Sequence, residues 1–346
     1  MSRRHISYNI IRCILPLVIM LLSFSSCIKG EDWGNGNAPM DNFKALWTII
    51  DEHYCFFDYK AKAIGLDWNN VYKKYEARIS EKMDNKQLFE VLGEMLSELQ
   101  DGHVNLYASF DIARNWNWRE DFPSNFNDSI QQLYLGKDYK IASGLKYKIL
   151  PDNIGYIYYA SFSNGIGDGN LSEVLNNLST CDGIILDVRN NTGGNLSYAE
   201  RLAARFTNEK ILVGYICHKT GTGHNDFSKP EEVWLEPSDG VRWQKNAVVL
   251  TNRSCYSATN DFIKSVKRCP NVTIIGDRTG GGSGLPFSSE IPNGWSIRFS
   301  ACPMYDANMQ QTEFGIDPDI IVSQKKEDIL KDKDTLIEFA REFLKK

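Results

Sequence analysis

Two serines and a cysteine stand close together in the segment NRSCYSATNDF, residues 252–262. The apolar run AVVLT before it (247–251) predicts a strand, and the run after it predicts a helix. A residue at such a strand-to-helix turn lies where free backbone N–H groups stabilise negative charge. Ser257 occupies that junction, and Ala258 supplies the next N–H. Ser257 is therefore either a nucleophile or only the helix cap that serine often provides.

A serine nucleophile needs a base, and the chain beyond residue 26 has four histidines. His103 differs from the others because it follows LQDG (99–102), in which the glycine ends a predicted helix. That leaves the imidazole at a domain junction, where clefts form. In isolation a structural role is the commoner one for such a histidine. If it acts with Ser257, its Nε2 should lie about 3–4 Å from the Ser257 Oγ.

A second candidate element follows the apolar segment GIILDV (183–188), which predicts a buried strand. The sequence DVRNNTGGN (187–195) places two glycines between that strand and a predicted helix. Such turns expose N–H groups that bind phosphate or a developing oxyanion. The dinucleotide pattern GxGxxG does not occur there, and the glycine-rich segment 276–283 has glycine where a P-loop requires lysine. Oxyanion binding and a purely structural turn both stay open.

Hydrophobic periodicity predicts the elements that position these residues. Residues 41–100 carry apolar residues at helical spacing, with Asn42 as a predicted cap and DNKQ (84–87) as a predicted capping box, so they form a small helical domain. In residues 101–325, strand-like and helix-like runs alternate, which predicts an α/β layer with parallel strands. Residues 326–346 predict one charged amphipathic C-terminal helix.

Three elements in this order resemble the C-terminal processing (tail-specific) protease family of serine peptidases: DGH (101–103), DVRNNTGGN (187–195) and CYSATND (255–261). The resemblance covers roughly residues 40–325 and is to the branch that includes tricorn and the interphotoreceptor retinoid-binding protein. It includes two later motifs, GDRTG at 276–280 and GIDPD at 315–319. It implies an α/β core of the Clp protease/crotonase type, with stacked β-β-α units, preceded by a small N-terminal helical domain.

The resemblance also implies roles for residues at matching positions. Ser257 would be the nucleophile and His103 the general base. Glu313 would be the carboxylate that orients the pair, with Asp101 or Asp317 as alternatives. The implied oxyanion-hole donors are the backbone N–H groups of Gly194, Ala258 and, as a further candidate, Gly193.

The sequence departs from the family pattern at two positions. Processing proteases use a lysine base in the glycine-rich stretch, where this chain has Gly282. Lys264 and Lys267 are expected to be solvated surface charges on the helix after Ser257. The tricorn-like branch has a serine before its histidine, where this chain has Gly102. The pattern therefore favours histidine over lysine as the base, without a bridging hydroxyl beside it.

Another departure concerns the segment between His103 and Gly155, which has only 51 residues. That is too short for the peptide-binding PDZ domain that many family members carry there. The segment holds four aromatic residues that either line a substrate cleft or cap the core: Trp116, Trp118, Phe122 and Phe126.

Residues 1–26 predict a bacterial lipoprotein signal peptide. Three arginines and a 12-residue apolar run, too short to span a bilayer, precede Cys27. Small residues before Cys27 are typical of a lipobox, so the mature chain is expected to be anchored by lipid in the cell envelope, facing the periplasm or the cell exterior. An ordinary cleaved signal peptide is the alternative. Residues 27–40 then predict a flexible tether.

Composition limits the classes of partner. Loss of the three arginines changes the net charge from −5 to −8, and no basic stripe is present, so nucleic acid is not an expected partner. The six cysteines beyond Cys27 lack metal-ligand spacing, and disulfides and free buried thiols both stay open. No metal or organic cofactor is implied. The expected function is hydrolysis of peptides or unfolded proteins; a non-catalytic ligand- or peptide-binding protein on the same scaffold is the alternative.

Overall fold

A computed structural model describes residues 36–115 and 119–346 of the chain. The predicted signal peptide, Cys27, Trp116 and Trp118 lie outside the described residues. In those two ranges, no helix combines the length and the apolar character needed to cross a membrane.

Four helices form the N-terminal region: α1 (Pro39–His53), α2 (Phe57–Ile64), α3 (Trp68–Glu76) and α4 (Asn85–Ser97). Their apolar stripes bury Leu46, Leu92 and Met95 completely. The predicted capping box is present, because the Asp84 side chain accepts from the first turn of α4 and Gln87 returns a contact to the Asp84 backbone.

The start of α1 differs from the prediction. The helix begins at Pro39, inside the predicted tether, because proline fits the first turn of a helix. Asn42 is not its cap, and that prediction was wrong: Ala38 holds the cap position. The Asn42 side chain is instead buried and makes a tertiary contact, in which its Oδ1 accepts from the Asn293 backbone N–H at 2.9 Å.

The strands form two sheets. In chain order they are β1 (Asn105–Tyr107), β2 (Ile112–Arg114), β3 (Lys140–Ala142), β4 (Leu145–Ile149), β5 (Ile154–Tyr159), β6 (Gly183–Asp187), β7 (Ile211–Ile216), β8 (Glu231–Leu235), β9 (Ala247–Thr251), β10 (Val272–Gly276), β11 (Gly284–Glu290), β12 (Ser296–Asp306) and β13 (Ile320–Ile321). The larger sheet has the order β13-β10-β9-β6-β5-β4-β3, and the smaller has β2-β1-β12-β7-β8 with β11 also paired to β12.

The centre of the larger sheet positions the candidate site. Five neighbouring strands of this sheet, β13, β10, β9, β6 and β5, run parallel to one another, as the alternating pattern predicted. Strands β6 and β9 are neighbours, and every residue in both is buried. Because the carboxyl ends of parallel strands meet at one edge of a sheet, the turns after β6 and β9 lie side by side.

Helices cover both faces of this sheet. They are α5 (Asp128–Leu135), α6 (Asp168–Asn177), α7 (Leu196–Ala203), α8 (Ala258–Val266), α9 (Lys326–Ile329) and α10 (Thr335–Leu344). Successive strand residues point to opposite faces, so Ile184 and Leu186 pack with α6, α7 and α8 while Ile185 packs with α10. The core therefore lies on both sides of the parallel strands.

The prediction of a single C-terminal helix over residues 326–346 was wrong, because α9 and α10 are separate helices. Asp334 begins the second one, accepting from the backbone N–H groups of Leu336 and Ile337 at 3.0 and 3.1 Å. Its carboxylate also lies 2.9 Å from the buried guanidinium of Arg189. The break is thus stabilised by a tertiary ion pair that helical periodicity does not reveal.

The smaller sheet joins the helical region to the core. Ile297 and Phe299 of β12 pack among the N-terminal helices. Strand β1, which directly follows the segment containing His103, pairs with the same part of β12. This arrangement holds the histidine segment between the helical region and the larger sheet.

The sequence left open where the aromatic residues after His103 lie and whether the cysteines form disulfides. Phe126 is buried and stacks on Tyr158 with ring centroids 5.9 Å apart, so it belongs to the core. Phe122 is 42% exposed and lies under the Arg253 guanidinium, so it stays at the surface. All six cysteines of the described residues are free and buried, so they are thiols and form no disulfides with one another.

Candidate active site

Ser257 lies at the turn between β9 and α8, with φ 57° and ψ −122°. Residues with a side chain rarely adopt this conformation, which costs on the order of 1–3 kcal/mol. The Ser257 N–H donates to the Gly281 carbonyl at 2.8 Å and so holds the turn. Although Ser257 precedes the first helical residue, its side chain does not cap α8. The hydroxyl is therefore available for another partner.

That partner is His103, whose Nε2 lies 2.9 Å from the Ser257 Oγ. The distance is that expected of a nucleophile and its base. The histidine backbone is held by Asp101, whose Oδ1 accepts from the His103 N–H at 2.7 Å. The other oxygen of this buried carboxylate accepts from Tyr54 Oη at 3.0 Å and from Ser300 Oγ at 2.9 Å. Asp101 thus ties the histidine to the helical region and to β12.

The electrostatic surroundings favour the neutral imidazole. Burial lowers the pKa of His103 to about 4; the Asp101 carboxylate opposes this shift, while the Arg298 and Lys60 charges add to it. A neutral ring near pH 7 has a nitrogen that can accept a proton. The His103 Nδ1 is buried and has no hydrogen-bond partner in the described part of the chain.

Glu313 is buried but does not touch the imidazole. Its Oε1 lies 3.2 Å from the Lys60 Nζ, and its Oε2 accepts from the Ser283 N–H at 3.0 Å. Across residues 36–115 and 119–346, no hydrogen bond joins Glu313 to His103 or Ser257. The predicted direct orienting contact is therefore not formed, since both carboxylate oxygens have other donors.

The pKa of Glu313 is raised to about 8 by burial, the largest cause, and by the nearby Asp101 carboxylate. Lys60 and the Ser283 N–H oppose this rise because they stabilise the ionised form. Lys60 is itself buried and also donates to the Gln100 carbonyl at 2.8 Å. The lysine therefore links the Glu313 segment to the residues just before the histidine.

The remaining carboxylate and lysine candidates lie away from the imidazole. The Asp317 side chain is 73% exposed and lies 3.5 Å from Arg278. Lys264 is buried rather than solvated, which corrects the prediction; its side chain lies beside Gly214 of β7, and its Nζ lies 2.5 Å from Asp261 of the same helix. Lys267 is partly exposed, as predicted, and pairs with Asp319.

The two departures from the family pattern have steric consequences. A Cβ at Gly282 would lie 2.5 Å from the Tyr256 ring, so the position where processing proteases place a lysine has no room for a side chain. Gly102 contributes only its backbone, whose carbonyl accepts from the Asn105 side chain at 3.3 Å. The site therefore has neither a lysine base nor a hydroxyl directly before the histidine.

The glycine turn after β6 faces Ser257. The Gly193 N–H donates to the Asn191 Oδ1 at 3.0 Å, so this candidate oxyanion donor is already occupied. The Gly193 carbonyl accepts from the Ser161 Oγ at 3.3 Å. Because the peptide is trans, the Gly194 N–H points the opposite way. In the described residues no acceptor pairs with the N–H of Gly194 or of Ala258.

The turns after β6 and β9 are tied together. The Tyr256 N–H donates to the Asn191 carbonyl at 3.2 Å. The Asn252 side chain accepts from the Asn190 N–H at 3.0 Å and donates to the Asn190 Oδ1 at 2.8 Å. A Cβ at Gly193 would lie 2.6 Å from the Tyr256 carbonyl oxygen, so this close approach requires glycine.

Ser257 and His103 line two adjoining cavities of about 310 Å³ and 260 Å³. Gly194 and Arg298 also line both. Together these residues form a cleft in which a peptide carbonyl can lie between a hydroxyl, an imidazole and two backbone N–H groups. The arrangement is suited to acyl transfer.

Sequence reasoning missed three residues at this site: Lys60, Asn252 and Arg298. Lys60 occurs on a helix with other lysines and has no distinctive spacing. Arg298 had a detectable signal, because it alternates with the apolar Ile297 and Phe299 in a predicted strand and must therefore face the other side.

The chain is similar to known proteins both in sequence and in structure. A sequence profile of peptidase family S41 matches residues 153–322, and a profile of the tricorn protease C1 domain matches residues 37–97. A protein of Parabacteroides merdae, provisionally assigned as a peptidase, is 55% identical, with 89% of this chain and 97% of that chain covered and a TM-score of 0.85.

More distant structures share the fold. Mature CPAF in complex with lactacystin is 12% identical, with 89% of this chain and 97% of that chain covered and a TM-score of 0.67. The photosystem II D1 C-terminal processing protease is 14% identical, with coverage of 82% and 93% and a TM-score of 0.53. The predicted fold class, an α/β core preceded by an N-terminal helical region, is confirmed.

Proposed function

Because the chain belongs to peptidase family S41, we propose that it is a serine peptidase with Ser257 as nucleophile and His103 as general base. The observation that carries this proposal is the 2.9 Å separation of His103 Nε2 and Ser257 Oγ. It occurs at a turn whose serine side chain makes no cap to the helix behind it. The expected substrates are peptides or unfolded proteins.

In the first step, the Ser257 Oγ attacks the carbonyl carbon of the scissile bond while its proton passes to His103 Nε2. The new bond places negative charge on the carbonyl oxygen. The N–H groups of Gly194 and Ala258 would stabilise that oxyanion, and each such donor typically contributes about 10²–10³ in rate. A neutral imidazole is required, and burial of His103 favours it.

In the second step, the C–N bond breaks and the His103 imidazolium gives its proton to the leaving amine. The acyl group stays on Ser257 as an ester. Water then attacks this ester, and His103 takes a proton from it. Return of that proton to the Ser257 Oγ releases the acid product and restores the site.

Glu313 is assigned an indirect, positioning role. Its backbone carbonyl accepts from the Gly282 N–H at 2.9 Å, and its carboxylate accepts from the Ser283 N–H at 3.0 Å. Gly281, which directly precedes Gly282 in the chain, accepts through its carbonyl from the Ser257 N–H. Glu313 thus stabilises the segment against which the nucleophile rests, and the Lys60 Nζ, 3.2 Å from its Oε1, helps to hold the side chain in place.

A fluorophosphonate probe tests the nucleophile, because it reacts covalently with activated serines. We expect wild-type protein to be labelled and Ser257→Ala to be unlabelled. Ser254→Ala is the matched control, since Ser254 lies in the same turn and should not be needed for labelling. A folded wild type that resists labelling would favour the non-catalytic binding protein.

We also propose that Cys27 carries a lipid anchor. The basic residues, the short apolar run and the small residues before Cys27 support it. Cys27→Ser should move the protein from the membrane fraction to the soluble fraction of the cell envelope. An unchanged distribution would argue against the anchor.

A further inference from the structure

Arg298 has no part in the mechanism above, yet it lines both cavities beside Ser257. It lies on β12, opposite Asn105 of β1, and is half-buried. Its positive charge reaches the imidazole, where it contributes to lowering the pKa of His103. A guanidinium this close to the nucleophile affects any charged group that a substrate brings.

Arg298 differs from three buried or half-buried arginines of the described residues. Arg189, Arg205 and Arg341 each pair with an aspartate. Within the described ranges, Arg298 pairs with no carboxylate and donates no hydrogen bond to another residue. Withdrawing a cation from water without an anionic partner is unfavourable. The position therefore makes physical sense if an anion from outside the chain completes it.

The smaller cavity has the charge that such an anion needs. Among the residues that the structure describes, its lining includes Arg298 and contains no aspartate or glutamate. The larger cavity differs, because its lining includes Leu196, Leu285 and Met304 together with Asp261, which is paired with a lysine. The two sides of Ser257 are thus suited to different chemical groups.

We propose that the smaller cavity is a subsite for a carboxylate of the substrate, bound by Arg298. The planar guanidinium can donate two parallel hydrogen bonds to a carboxylate, which gives direction as well as attraction. The carboxylate is either an acidic side chain or the free C-terminus of the peptide. This subsite rests on the proposed peptidase function, because it would determine which substrates the peptidase prefers. Peptide binding to it can nevertheless be measured without hydrolysis.

The experiment uses the mature chain with Ser257→Ala, so that bound peptides are not consumed. The ligands are octapeptides of alanine and leucine in which one position at a time is Glu or its uncharged isostere Gln. Each is made with a free and with an amidated C-terminus. We expect the charged member of the responding pair to bind about 10–100-fold more tightly. The position of the response distinguishes an acidic side chain from a C-terminal carboxylate.

Adding Arg298→Gln should abolish this preference. Adding Arg298→Glu should reverse it, so that a lysine-containing peptide binds more tightly than the acidic one; loss of a merely structural arginine would not do so. Arg242→Gln is the control, because Arg242 is exposed and lines neither cavity. Thermal unfolding of each variant verifies that it is folded.

Equal binding of charged and uncharged peptides to the Ser257→Ala protein, including no measurable binding of either, overturns the proposal. A preference that persists in Arg298→Gln overturns it as well. Neither result depends on the nucleophile, which fluorophosphonate labelling tests separately.

Discussion

The turns after β6 and β9 occupy equivalent places in the sheet and have different chemistry. Both follow a buried parallel strand, and both have positive φ: 98° and 140° at Gly193 and Gly194, and 57° at Ser257. Glycine adopts such angles without steric cost, whereas serine does so at a cost of about 1–3 kcal/mol. At Gly193 and Gly194 the first turn presents only backbone to the site, so glycine is sufficient at these two positions. The second must present a hydroxyl, so its strain cannot be relieved without removing the nucleophile.

Asparagines couple the two turns. Asn252 exchanges two hydrogen bonds with Asn190, and Asn191 accepts through its carbonyl from Tyr256. The Ser257 hydroxyl and the Gly194 N–H thus belong to one hydrogen-bonded unit. Variants within each turn can show whether the turns differ in this way and whether they depend on each other.

The largest expected effect is that of Gly194→Ala. A Cβ there would lie 2.3 Å from backbone atoms of Phe162 and Ser163, so the turn must move and carry the N–H with it. We expect kcat for a peptide substrate to fall by about 10²–10³. Gly169→Ala is the control, since a Cβ at Gly169 meets no atom within 4 Å. An unchanged kcat in Gly194→Ala would remove this N–H from the mechanism.

Asn252→Ala should break the link between the turns. The side chain is buried and bonded to Asn190 and to the Ser124 carbonyl, so its loss leaves several groups without partners. We expect the free energy of unfolding to fall by about 3 kcal/mol. Urea denaturation measures this, with the exposed Asn176→Ala as a control that should change it by less than about 0.5 kcal/mol. Similar values for both variants would mean that the turns are not coupled through Asn252.

The pH dependence should report the burial of His103. Protonation of the imidazole prevents it from acting as a base, and burial lowers its pKa to about 4. The kcat/KM should therefore stay level as pH falls toward about 5 and then drop about tenfold per unit below the pKa. Removing the Arg298 charge should move this limb to higher pH, because that charge helps to lower the pKa. A fall in kcat/KM centred near the ordinary histidine pKa of about 6.5 would contradict the assignment of buried His103 as the base.

The smallest effect should be a gain in stability. Ser257→Gly removes the steric strain that a side chain causes at this positive φ, whereas Ser257→Ala retains that strain. The two variants lack the same hydroxyl, so their comparison isolates the backbone. We expect the glycine variant to be more stable by about 1 kcal/mol, which is roughly 2 °C in Tm for a chain of this size. A less stable glycine variant would show that the serine backbone is not strained.

Much of the fold follows from local sequence. The runs 183–188 and 247–251 predicted the two central strands, because a buried parallel strand needs a continuous apolar segment. The same reasoning placed Ser257 at a strand-to-helix turn, where it lies. Asn42, Lys264 and the helix over 326–346 were predicted wrongly. For Asn42 and for the helix over 326–346, a tertiary contact with Asn293 or Arg189 outweighed the local preference. Lys264 instead pairs with Asp261 of its own helix and is buried beside Gly214 of β7.

The sequence by itself determined the strands, the glycine and serine turns and the absence of a lysine at Gly282, because these depend on neighbours along the chain. Only the tertiary structure decided which groups meet. His103 and Ser257 are 154 positions apart, and Lys60 and Glu313 are 253 apart. Their contacts require strand pairing and burial to bring distant segments together, and periodicity records neither. For the same reason the position of Arg298 beside the nucleophile became visible only in the folded chain.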